Sequence, residues 1–221
     1  MAEKDQVGTP ASLASRSSGE KKRGWYELLT LPLPYVLWWY SFGDLPPGFW
    51  VKLSVSGLIL LLVALTRRRD VKLTPSFAGC VLGVASAVLL YLFFWSGYHI
   101  MESVPGFVGT ISSVYAYAGG ASTTGIALVL LFPIGPAEEF YWRGFIQRRI
   151  GRSTSAAGAV LASSLLYTSI HIVTLNPSLL LVAFIGGLVW GGLYARYRNL
   201  FPVLVSHIIF DELIFVFLTI H

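Results

Sequence analysis

Residues 132–145 read FPIGPAEEFYWRGF, and they sit in a chain that otherwise looks made for hydrocarbon. Glu138, Glu139 and Arg143 fall within six residues, directly after a Pro-Gly-Pro interruption. An ionised side chain at mid-bilayer costs roughly 2.5–3.5 kcal/mol on insertion scales, so groups like these must face protein or water rather than lipid. Around them, 55% of the 221 residues are hydrophobic and 12% are charged. The mean hydropathy is +0.67. That balance excludes an ordinary soluble domain and indicates a polytopic, all-α membrane protein.

Apolar runs of near-spanning length occur at about 28–43, 51–66, 76–97, 123–147, 157–175, 178–196 and 200–220. They predict a transmembrane helical bundle of about seven spans over residues 25–221, preceded by a polar tail, 1–24. The tail has no apolar core of the signal-peptide kind. Lys21, Lys22 and Arg23 precede the first run, Arg67, Arg68, Arg69 and Lys72 follow the second, Arg148, Arg149 and Arg152 the fourth, and Arg196 and Arg198 the sixth. The intervening loops around 44–48, 98–123 and 175–178 hold no Lys or Arg. The positive-inside rule then puts the N-terminus in the cytoplasm. The formal net charge of +5 comes from these short clusters beside apolar runs, which suits lipid headgroups and not nucleic acid. Trp38, Trp39, Tyr40, Trp50, Trp95 and Tyr98 read as interfacial anchors. Gly187 and Gly191 form a GxxxG that reads as close packing within the chain. Cys80, the only cysteine, excludes an intramolecular disulfide.

The ionisable groups left inside the spans are Glu138, Glu139, Arg143, His171, His207, Asp211 and Glu212. Residues four apart share a helix face, so Glu139 and Arg143 read as a structural ion pair. Glu138 points about 100° away from Glu139 and is the free acid. Pro133 and Pro136 predict a broken helix restarting near Pro136, with Glu138 in the new first turn, where the positive dipole end favours a carboxylate. Such a break at membrane depth must be buried in protein or border water. Tyr167 and His171 are also four apart; taken alone, His171 reads as a packing residue. His207 and Asp211 repeat the spacing, and an aspartate beside an imidazole orients it and raises its basicity. Glu212 is a possible second partner for Arg143.

These residues in this order resemble the CPBP intramembrane proteases, which include type II CAAX prenyl endopeptidases and bacteriocin-processing or Abi proteins. The resemblance covers about 123–221: EExxxR matches Glu138, Glu139 and Arg143; FxxxH matches Tyr167 and His171, with Tyr in place of the usual Phe; and HxxxN/D matches His207 and Asp211. It implies hydrolysis of a membrane-proximal peptide bond, with Glu138 and His171 handling water and His207 donating to the oxyanion. Asp211 would orient His207, while Glu139, Arg143 and Tyr167 would be support. Asp211 itself cannot donate unless protonated. The expected site is metal-free; if zinc were used, Glu138, His171 and His207 would be its ligands, with no other cofactor. Expected partners are membrane lipid and a peptide or protein tail, in a bacterial or archaeal plasma membrane. Two other functions use similar groups, an ion or proton pathway and a non-catalytic immunity or binding protein. Substrate, prenylation and oligomeric state have no signature in the sequence.

Overall fold

A computed structural model describes residues 30–43, 48–66 and 71–220. The expected polar tail, Lys21 to Arg23 and Arg67 to Arg69 lie outside them. Among the described residues the chain is helical throughout, with no strand. Its helices are α1 (Pro32–Phe42), α2 (Phe49–Thr66), α3 (Phe77–Met101), α4 (Phe107–Tyr115), the long rod α5 (Thr123–Ile150), α6 (Ala156–Ile170), α7 (Pro177–Tyr197) and α8 (Phe201–Glu212). A 3₁₀ turn, His171–Thr174, extends α6, and a wide π turn, Leu213–Phe217, extends α8.

Each of the seven apolar runs is a helix, but they are unequal. Four are long and apolar enough to cross a membrane: α2, α3, α6 with its 3₁₀ extension, and α7. The α4–α5 pair makes a fifth if its 91° bend is counted within one span. α1 and α8 have 11 and 12 residues. At 1.5 Å per residue a 12-residue helix is about 18 Å long, short of the hydrocarbon thickness. The segment 98–123, expected as a loop, contains α4.

Side-chain caps set where several helices begin. Ser76, Ser122, Ser155 and Asn176 accept from the backbone N–H three residues on, at the starts of α3, α5, α6 and α7. Each satisfies a donor that lipid could not.

The expected break at Pro133–Pro136 is absent. The rod stays helical through both prolines by widening into π turns at Leu130–Ile134 and Phe140–Gln147. Proline lacks an N–H and its ring crowds the carbonyl four residues back; an i→i+5 register relieves that crowding, and Gly135 N–H bonds Leu130 O in this way. Glu138 therefore lies mid-rod and not at a free helix start. The sharp bend falls earlier, at Gly119 and Gly120, whose φ values of +55° and +80° favour glycine.

α7 packs along α6 and α8 along α3, with α5 between them. The GxxxG stripe faces inward: a Cβ at Gly187 would sit 3.1 Å from the Ser164 Cβ, and one at Gly191 3.0 Å from Gln147 Oε1. That proximity lets two α5 side chains four apart reach α7 carbonyls, Arg143 to Gly187 O at 3.4 Å and Gln147 to Gly191 O at 2.8 Å.

Candidate active site

Three rods supply the site. α5 brings Glu138, Glu139 and Arg143, the end of α6 brings Tyr167 and His171, and α8 brings His207 and Asp211. Glu138, Tyr167, His171, His207 and Asp211 line one cavity of about 120 Å³, whose remaining wall is mainly apolar and aromatic. All five are buried, as are Glu139 and Arg143.

The two adjacent glutamates have different surroundings. Glu139 Oε1 accepts from Arg143 Nη1 at 2.8 Å and lies 2.6 Å from His207 Nδ1. It is thus the anion for a guanidinium and an imidazole together, where the sequence pointed only to the guanidinium. Its Oε2 is buried with no hydrogen-bond partner among the described residues. Arg143 is wedged between aromatic faces, 4.9 Å from the Tyr167 ring and 5.3 Å from that of Trp190. Glu212 does not join them; its Oε2 is buried with no hydrogen-bond partner among the described residues.

Glu138 Oε2 accepts from the Tyr167 hydroxyl at 2.5 Å and lies 3.7 Å from His207 Nε2. The hydroxyl that distinguishes Tyr167 from Phe is therefore in direct contact with the free acid. Asp211 Oδ2 is 3.4 Å from His207 Nε2. His207 thus meets three carboxylates, with Glu139 the nearest and Asp211 and Glu138 at the opposite ring nitrogen.

His171 is held at both nitrogens. A carbonyl can only accept, so Nδ1–H donates to Tyr167 O at 3.0 Å; an indole N–H can only donate, so Nε2 accepts from Trp38 Nε1 at 3.1 Å. This fixes His171 as the neutral Nδ1–H tautomer. Trp38 was expected as an interfacial anchor, but it is 1% exposed and touches the site, whereas Trp39 is 68% exposed. Tyr98 is also buried, while Tyr40 and Trp95 stand outward.

Trp190 is a further contact that the sequence did not single out. It stacks on the His207 ring with centroids 3.7 Å apart and an interplanar angle of 18°. Its Nε1–H donates to Ser206 Oγ at 3.2 Å, and Ser206 donates to Ser86 at 3.1 Å. Its sequence signal was slight, a tryptophan mid-span beside a glycine stripe.

The zinc alternative would use Glu138, His171 and His207, which line the same cavity. No group of three or more His, Cys, Asp or Glu among the described residues is arranged to hold a metal ion. In this structure the His171 lone pair that would ligate accepts the Trp38 N–H, while His207 Nδ1 is on Glu139 and leaves Nε2 toward the cavity.

A helical membrane protein that gathers an acid and two imidazoles around one cavity has the parts for proton-transfer chemistry. Residues 120–213 match the family model described as type II CAAX prenyl endopeptidase Rce1-like, so this stretch is similar to the membrane proteases of the CAAX type. The matched residues contain all three motifs, from Glu138 to Asp211; α1 to α4 lie before them. No curated protein and no solved structure matches the chain.

Proposed function

We propose that the protein is an intramembrane endopeptidase that cleaves a membrane-proximal peptide tail with water activated by Glu138. The observation that carries this reading is the convergence of Glu138, His171, His207 and Asp211 from three helices on one cavity. Glu138 Oε2 is engaged by Tyr167, whereas Oε1 accepts no hydrogen bond from the described residues and is the atom available to a water. In the proposed reaction Oε1 takes a proton from that water, and the oxygen attacks the scissile carbonyl carbon. Glu138 then returns the proton to the leaving amine. His207, braced by Glu139 at Nδ1, carries its second proton on Nε2 and donates it to the developing oxyanion. Asp211, on the Nε2 side, balances that imidazolium. His171 assists the water through its Nε2 lone pair.

The reaction is proposed as metal-free: Glu138 supplies the base, and no group of three or more His, Cys, Asp or Glu among the described residues is arranged to hold a metal ion. Activity retained after chelation is the expected result. The whole reading is tested with purified protein in liposomes and a pool of membrane-anchored tail peptides, prenylated and unprenylated, with new termini read by mass spectrometry. New termini that vanish with Glu138→Ala support it; proton flux without cleavage would replace it by transport.

A further inference from the structure

The only His171 nitrogen with an acceptor lone pair is Nε2, and an imidazole nitrogen has a single such lone pair. In this structure that lone pair is filled by the indole N–H of Trp38, 3.1 Å away, while Nδ1 is fixed on Tyr167 O. The two rings meet edge to face with centroids 5.9 Å apart. A water on His171 and the Trp38 N–H are therefore mutually exclusive. Trp38 belongs to α1, outside the Rce1-like segment, so the competitor comes from a part of the chain that carries none of the three motifs.

We infer that Trp38 is a latch on His171: the structure is a resting state in which the indole caps the nitrogen that the reaction needs, and turnover requires the indole to turn aside. This rests on the peptidase reading above. Trp38 itself lines the cavity beside His171, so its ring edge has open space into which to move. The rest of α1 need not leave its seat, where Tyr35 bonds Ser169 at 2.6 Å and Ser41 bonds Ser56 at 2.9 Å. A neutral hydrogen bond between buried groups is a weak enough lock to be opened by an entering peptide, and strong enough to slow its entry several-fold.

The test removes the N–H and keeps the ring. Trp38→Phe does so with some loss of volume; site-specific replacement of Trp38 by its benzothiophene analogue does so with the shape conserved, which covers the case in which the phenylalanine variant fails to fold. Two readouts are taken in liposomes: turnover of the peptide pool, and the rate at which diethylpyrocarbonate acylates His171, followed by mass spectrometry with His99 as internal reference. The expected result is turnover raised about three- to tenfold, with cleavage positions unchanged and His171 acylated faster by a similar factor. Folded variants with unchanged or reduced turnover overturn the latch, as does a wild-type His171 already acylated as fast as in the variants. If no protein cleaves more than the Glu138→Ala control while His171 acylation still accelerates, the latch stands as a cap on His171 and the peptidase reading falls.

Discussion

Glu138 and Glu139 are adjacent in the chain, yet substituting them should damage different things. Glu138 faces the cavity with one oxygen unengaged, so Glu138→Gln, which keeps size and the Tyr167 contact, is expected to cut cleavage by about 10²–10⁴-fold with little change in thermal stability. Glu139 is sealed behind it, and Glu139→Gln leaves Arg143 without its anion. Breaking a buried pair from one side costs about 3–5 kcal/mol, so this variant should melt far below the wild type before its activity can be judged. Trp190→Leu removes the flat surface beneath His207 and the bond to Ser206. It should lower turnover at saturating peptide by about 10- to 100-fold, since small displacements of a reacting group are costly, while Trp190→Phe recovers most of the loss because the stack persists. The three motifs were legible because each pair lies four residues apart on one helix, a distance the sequence states directly. The Glu139–His207 and Trp190–His207 contacts were not, because they depend on how α5, α7 and α8 cross, which no local spacing encodes.

Helix α3 contains its own comparison of what a glycine does. At Gly83 a Cβ would lie 2.6 Å from the Val205 Cβ and 2.8 Å from Pro202 O, so α3 and α8 approach there closer than any other residue allows. At Gly97 nothing lies within 4 Å. Gly83→Ala should therefore destabilise the protein by about 1–3 kcal/mol, through overpacking against a backbone that cannot yield. Gly97→Ala should be neutral or stabilising by up to about 1 kcal/mol from helix propensity. Denaturant titration of both in mixed micelles checks the contrast, and equal effects would mean that the α3–α8 contact is not the tight one. Hydropathy found α3 but not its partner. The prolines of α5 show the opposite failure: their local chemistry is real, but reading it as a break ignored the π register, which lets the helix absorb two prolines and still carry Glu138, Glu139 and Arg143 inward.

Across the molecule, the polar contacts between helix ends fall into two groups. At one end the segment before α3 is tied to the start of α8: Leu200 N–H bonds Lys72 O at 2.8 Å, and Asn199 exchanges bonds with the backbone of Thr74. At the other, Asn176 at the start of α7 donates to Thr110 O and Ser113 of α4. Lys72 and Arg198 therefore share one end of the bundle, opposite α4. The alternation of basic loops in the sequence predicts the same division and a sign to be tested, the basic end in the cytoplasm, because lipid headgroup charge and insertion favour Lys and Arg there. Helix lengths could not supply that sign, since α1 and α8 are too short to count as spans on their own. In a Cys80→Ala background, needed because Cys80 is exposed, single cysteines at Glu102 and Arg152 sample opposite ends at exposed positions. A membrane-impermeant maleimide should label Glu102→Cys in intact cells and Arg152→Cys only after permeabilisation. The reverse pattern would invert the protein in the bilayer, and with it the side from which a peptide tail reaches Glu138.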